Sequence, residues 1–196
     1  MDETDSTTPR FETAAGLKPY SEVSDLIAEP LRTLVDRVLA GDYADHRLDV
    51  DLIREFHRAI LDRVVPSIAG RWRSNPVSVG AHHPPEHWNI DRLMREFFDN
   101  LAARVEYSGD DPELQLEALA YAEACALHIH PFEDFNGRAV RVLVLELGRR
   151  FDFPLFRSWV ELGTPESAEY KAALVAFDVS QSIEPLKQFW LKRRFS

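Results

Sequence analysis

One stretch limits the fold of this chain more than any other. Residues 137–150 read GRAVRVLVLELGRR, and Val140, Val142, Leu143, Val144, Leu145 and Leu147 make the segment apolar nearly all round. A helix of that kind cannot lie on a surface, where only one stripe would be covered. It must be central, with other helices packed about it. The chain has the material for such a shell. It is 196 residues long, 45% hydrophobic and 11% aromatic, which fits one domain with a sizeable core.

Helical spacing recurs on both sides of that segment. Leu26, Ile27, Leu31, Leu34, Val35, Val38 and Leu39 predict a helix that begins near Ser21 and stops at Gly41. Pro30 should kink or split it. A second helix is expected over about 49–68, ended by Pro66 and Gly70. Others are expected over 88–106, 111–128, 165–178 and 183–193. Residues 1–18 are polar and read as a flexible segment ahead of a single domain at 19–196, with its core over about 48–192. Residues 70–87, GRWRSNPVSVGAHHPPEH, hold two glycines and three prolines around an alternation of Trp72, Val77 and Val79. This is the one strand candidate, a short hairpin or extended flap.

The formal charge of -10 disfavours nucleic acid and acidic membranes as partners, since both need basic surface. No apolar run is long enough to span a bilayer. The N-terminus lacks the basic-then-apolar order of a signal peptide. A single cysteine, Cys125, rules out a disulfide within the chain and fits a reducing compartment. The expectation is a cytoplasmic protein.

The chemistry concentrates where the buried helix begins, in HPFEDFNGRAVR, residues 130–141. Asn136-Gly137 sits at the helix start, where Gly lets the backbone approach a ligand. The first amides of a helix have no internal partners, and the helix dipole favours an anion there. Arg138 and Arg141 share a helix face, in the turn where that dipole disfavours cations. Two guanidinium forks in that place suit a di- or triphosphate. Asp134 is a single carboxylate, which suffices for Mg²⁺ when phosphates and waters complete its shell. His130 can take a proton from an attacking hydroxyl. Phe132 should turn the other way and anchor the loop in the core. Each feature alone is common structural punctuation. Together, against an apolar helix, they point to phosphoryl or nucleotidyl transfer to a hydroxyl.

These residues resemble the signature of the Fic (Fic/Doc) family, H-x-F-x-[D/E]-G-N-G-R-x-x-R. His130, Phe132, Asp134, Asn136, Gly137, Arg138 and Arg141 match it. The resemblance extends over roughly 48–192 and includes the flap with its trailing HHPP turn and the closing helices near Tyr170 and Glu184-Pro185-Leu186. It implies an all-α fold, a Fic-type helical bundle around a central buried helix with a small β-hairpin flap. It implies transfer of AMP from ATP to a Ser, Thr or Tyr hydroxyl of a target protein, with Mg²⁺ as cofactor. In that reading His130 is the general base and Asp134 the metal ligand. Phe135, Asn136, Gly137, Arg138 and Arg141 surround the phosphates. Arg71, Trp72, Val77 and Val79 belong to the flap that pairs with the target by strand addition. Gly137 sets the chain apart from the Doc-like subgroup, which has Lys there and transfers the γ-phosphate.

One position departs: Phe135 stands where the signature has Gly. If the site needs positive φ there, Phe is costly. Nucleotide choice is therefore open, and so is a non-catalytic nucleotide-binding module; other donors such as UTP or a CDP-alcohol, and AMP removal, belong to the same alternatives. No inhibitory [S/T]-x-x-x-E-[G/N] segment is secure, which leaves restraint to a separate, antitoxin-like chain. His82, His83 and His87 lack a cysteine or spaced acid to complete a metal site and read as a solvated loop. His128 reads as a packed or capping residue. Trp72, Trp88, Trp159 and Trp190 read as packing.

Overall fold

The computed structural model describes residues 9–153, 160 and 163–194. Among them are eight α-helices: α1 (Tyr20–Leu26), α2 (Ala28–Ala40), α3 (Val50–Leu61), α4 (Ile90–Ser108), α5 (Pro112–Ile129), α6 (Asn136–Arg150), α7 (Pro165–Ser180) and α8 (Glu184–Arg194). Helix α6 is the apolar segment, and it is central. Val140, Val142, Leu143 and Leu147 have no exposed surface. Helices α2, α3 and α5 pack against it, and α4, α7 and α8 pack against α5. An all-round apolar helix has thus been given neighbours on every side that burial requires.

Local chemistry sets the ends. Asp49 caps α3 by accepting from the amides of Asp51 and Leu52, and Asp111 caps α5 by accepting from Glu113 and Leu114. Pro112 and Pro165 stand at first helical positions, where a missing N–H removes nothing. Pro30 acts likewise in the first turn of α2, so the expected split falls at Ile27 rather than at the proline itself. The second expected helix is shorter than its apolar pattern: α3 ends at Leu61, and 62–69 continue as turns.

The strands are not where the sequence pattern places them. Arg10–Thr13 (β1) and Gly16–Pro19 (β2) form an antiparallel hairpin, with Phe11 opposite Lys18 and Gly16 at φ 95° in the turn. This lies within the segment expected to be loose; residues 1–8 of that segment are outside the described part. Phe11 is the reason for order: it is buried, and it ties the hairpin to the body. The expected flap hairpin is instead an irregular loop with one antiparallel bridge, Val79 to His82, made by two hydrogen bonds of 3.0 Å. Pro76, Pro84 and Pro85, with Gly80 at φ 60°, leave too few amides for a ladder. Trp190 is fully buried as expected, whereas Trp88 is 69% exposed, and Trp159 lies outside the described residues. None of the described helices is long and apolar enough to cross a membrane.

Charge closes the far end of α6. Glu146 is wholly buried, and its carboxylate bridges Arg149 at 2.8 Å and Arg150 at 2.7 Å. Arg150 also donates to the carbonyls of Tyr43 and His46, which fixes the α2–α3 connection. Removing the carboxylate leaves two partly buried guanidinium groups uncompensated. Glu146→Ala should therefore lower the unfolding free energy in urea by about 3 kcal/mol. Glu96→Ala breaks an exposed pair with Arg92 and should cost well under about 1 kcal/mol.

Candidate functional site

The site starts where α5 stops. Pro131 disfavours a helical conformation at the residue before it, so α5 ends at Ile129. His130 turns to φ 51°, ψ 61°, in the left-handed region that His tolerates better than most residues. Its Nδ1 lies 3.3 Å from the Leu127 carbonyl. A carbonyl can only accept, so Nδ1 carries the proton and Nε2 keeps its lone pair. Burial pushes the imidazole pKa down to about 4, so the base form persists through neutral and mildly acid pH.

The loop from Phe132 to Phe135 then folds back upon itself. Asn136 Oδ1 accepts from the Phe132 amide at 2.8 Å, and Asn136 Nδ2 donates to the Phe132 carbonyl at 2.9 Å. The side chain expected at the phosphates is thus occupied in closing the loop. Asp134 Oδ1 accepts from the Phe135 amide at 2.6 Å, and burial pushes its carboxyl pKa up. Glu133 is exposed, and its charge adds a small upward push on the Asp134 carboxyl. Phe132 is fully buried, as expected.

Phe135 does occupy positive φ, at 59°, immediately before α6. Its ring explains why that is tolerated. The ring stacks on Tyr20 at 5.2 Å and 6° between planes, and it meets Phe11 at 5.3 Å. The hairpin and α1 therefore form an aromatic seat for the residue that replaces Gly. The Arg138 guanidinium lies 5.1 Å from the centre of the same ring. Its Nη2 donates to Ser24 Oγ, and its Nη1 is buried without a partner. Gly137 is open: a Cβ there would meet nothing within 4 Å. Arg141 is half-buried, and its charge bears on the buried Glu123 carboxyl and on Tyr170. Glu123 accepts from Tyr170 at 2.6 Å and from Trp190 at 2.7 Å, which joins α5 to α7 and α8 behind the second arginine.

Two supporting residues are not evident from the motif. His57 on α3 is fully buried and stacks on Phe132 at 3.8 Å and 2°. Its Nδ1 accepts from the Gly70 amide at 2.9 Å, so Nε2 holds the proton and donates to the Asp134 carbonyl at 3.0 Å. Burial lowers its pKa to about 4. Its signal in the sequence is a polar residue at an inward position between Phe56 and Ile60. Arg73 is 3% exposed. Its Nε donates to the His130 carbonyl at 2.8 Å, and its amide donates to the Pro131 carbonyl at 2.9 Å. Its other nitrogens reach the carbonyls of Asn75, Pro85 and Ile129. A cation thus ends α5 on its carbonyl side and pins the flap base to the loop. Trp72 is half-buried, packs on Phe132 at 5.1 Å and donates to Asp91 at 3.3 Å. Arg71 and Val79 are exposed and Val77 is half-buried.

Residues 47–147 match the model of the Fic/DOC family. The chain belongs to that family. A protein adenylyltransferase Fic of Nematostella vectensis is 36% identical over 109 residues, which is 55% of this chain and 24% of that protein. Its namesake in Drosophila willistoni is 40% identical over 102 residues, 52% of this chain and 20% of that protein. The chain spans about a quarter or less of these relatives. Among solved structures, Fic-1 of C. elegans has a TM-score of 0.60 at 26% identity, covering 86% of this chain and 46% of that one. The N-terminal FIC domain of Bep8 from Bartonella sp. 1-1C has a TM-score of 0.77 at 13% identity, covering 95% and 91%. The last likeness is one of fold. The expected Fic-type helical bundle is therefore the architecture found.

Two outcomes follow for stability. In Phe135→Gly, relief of left-handed strain returns about 1–2 kcal/mol, but loss of the buried ring removes about 3–5 kcal/mol. The variant should be less stable by about 2 kcal/mol in chemical denaturation, and Phe11→Ala should make part of that loss redundant. The second concerns pH. Unfolded imidazoles take up a proton near 6.5, whereas His57 and His130 do so near 4 in the native state. Between those values the unfolded chain binds more protons, so stability falls as pH falls. The share of His57 is on the order of 3 kcal/mol. Urea titrations at pH 7 and 4.5 should show a smaller drop for His57→Gln than for the parent chain.

Proposed function

We propose that the chain is a protein adenylyltransferase, moving AMP from ATP to a Ser, Thr or Tyr hydroxyl of a target protein. The observation that carries the reading is the pairing at one loop of a neutral His130, with Nε2 free to accept, and an anion-ready helix start at Asn136-Gly137. Curated relatives named for this activity support it, as does a structural neighbour, BepC from Bartonella tribocorum, solved with bound AMPPNP.

The residues present fit a triphosphate. Gly137 leaves open space at the start of α6. The Arg138 and Ala139 amides bond to the Phe135 carbonyl, which leaves the amides of Asn136 and Gly137 as the helix-start donors for an anion. The buried, unpartnered Nη1 of Arg138 is the kind of donor that a phosphate oxygen satisfies. Asn136 acts by holding the loop closed, so that these amides keep their direction. Asp134 offers a hard oxygen donor, raised in pKa by burial and thus in need of a cation. Asp134 would hold Mg²⁺, which would offset the charge of the phosphates. His130 Nε2 takes the proton of the target hydroxyl as its oxygen attacks the α-phosphorus, and pyrophosphate leaves. The exposed residues on either side of Val77 offer a short edge for the target segment, next to the Val79–His82 bridge. A cytoplasmic setting and a separate inhibitory chain belong to the same reading.

The test is intact-protein mass spectrometry of the chain with Mg²⁺, a cell lysate and ATP, GTP, UTP or CTP in turn. The expected result is an AMP adduct from ATP on a lysate protein or on the chain itself, reduced about 10²–10⁴-fold in His130→Ala. An adduct from another nucleotide keeps the site and changes the donor. Nucleotide binding with no adduct leaves a non-catalytic module.

A further inference from the structure

The fold brings together three side chains that the sequence keeps far apart. His82 closes the flap bridge, His128 lies on the last turn of α5, and Asp178 lies on α7. One donor atom from each lies within 4.8 Å of the other two. Their side chains are 12%, 22% and 20% exposed. The His82 and His128 rings are 4.8 Å apart, and Phe177 meets His128 edge-on at 5.6 Å, so one wall of the cluster is apolar.

The hydrogen bonds fix which atoms face inward. His82 Nε2 lies 2.9 Å from the His128 carbonyl. That oxygen can only accept, so Nε2 carries the proton of the neutral ring. Its Nδ1 is then a lone pair, held 3.5 Å from Asp178 Oδ1. A lone pair set against a carboxylate oxygen is repulsive unless a proton or a metal ion lies between them. An imidazole that donates its outer N–H to a backbone carbonyl and turns its bare nitrogen toward a carboxylate has the arrangement of a metal-ligating His. His128 Nδ1 approaches the same Oδ1 at 2.8 Å.

We infer that His82 Nδ1, His128 Nδ1 and Asp178 Oδ1 form a binding site for a divalent transition ion of the zinc type. Two imidazoles and one carboxylate suit zinc better than magnesium, and three protein donors leave a fourth position for water. Binding displaces the His128 Nδ1 proton, which passes to solvent. The ion ties the end of the flap to α5 and α7, beside the turn that presents His130. The site shares no ligand with Asp134.

Equilibrium dialysis of the chelator-stripped full chain against micromolar ZnCl2 at pH 7.5, with bound metal counted by mass spectrometry, tests this without nucleotide. The expected result is one zinc per chain. His82→Gln and Asp178→Asn, checked for folding by circular dichroism, should lower zinc affinity at least roughly tenfold. His83→Gln, at the exposed neighbour, should leave it unchanged. Failure of the parent chain to retain zinc overturns the site. So does retention undiminished in His82→Gln and Asp178→Asn, or loss of the zinc in His130→Ala, which would place the ion in the charged loop.

Discussion

The paired hydrogen bonds between the Asn136 side chain and the Phe132 backbone hold the rest of the site in place. They close the loop at 2.8 and 2.9 Å in an environment from which water is excluded. Backbone amides left unpaired there would be costly, so the amide side chain and the loop define one another. From that closure follow the direction of the first amides of α6, the position of the Asp134 carboxylate and the turn that presents His130. His57 braces the loop from beneath by stacking and by its bond to Asp134, and Arg73 braces it from the flap side through three consecutive carbonyls. The groups proposed to meet the substrate are thus held by the side chains of Asn136, His57 and Arg73, which are themselves buried.

Phe135 shows how a departure from a family signature is accommodated. A left-handed residue at that position is natural for Gly and strained for Phe. The strain is offset by burying the ring between Phe11 and Tyr20 and by placing Arg138 over it. The hairpin and α1 therefore belong with the site, although they precede the matched family stretch. Ser24 on α1 reaches Arg138 directly. A displacement of α1 would therefore change the contact made by that guanidinium.

The central helix and the twelve-residue loop were legible because their signals are local: an apolar run and a dense motif. The same holds for the starts of α3, α5 and α7, expected near 49, 111 and 165 and found at Val50, Pro112 and Pro165. What stayed hidden depends on long-range contact. Arg73 gives no sign in sequence of its bonds to Ile129, His130 and Pro131. The partner of His82 and His128 is Asp178, on a helix many residues away. The N-terminal hairpin was missed because one buried aromatic, Phe11, carries it through a tertiary contact rather than an alternating pattern. The flap was over-read, since Val77 and Val79 alternate where Pro76, Pro84 and Pro85 prevent a ladder.

The central claim is that the loop and the first turn of α6 form a preorganised triphosphate site. Amide chemical shifts of the ¹⁵N-labelled chain, followed while a non-hydrolysable ATP analogue and Mg²⁺ are added, read that turn directly. Saturable shifts should be largest at Gly137 and the adjoining amides and should be lost when Asn136→Ala opens the loop. Binding that leaves the Gly137 amide unmoved, or that survives Asn136→Ala in a folded chain, would contradict the account.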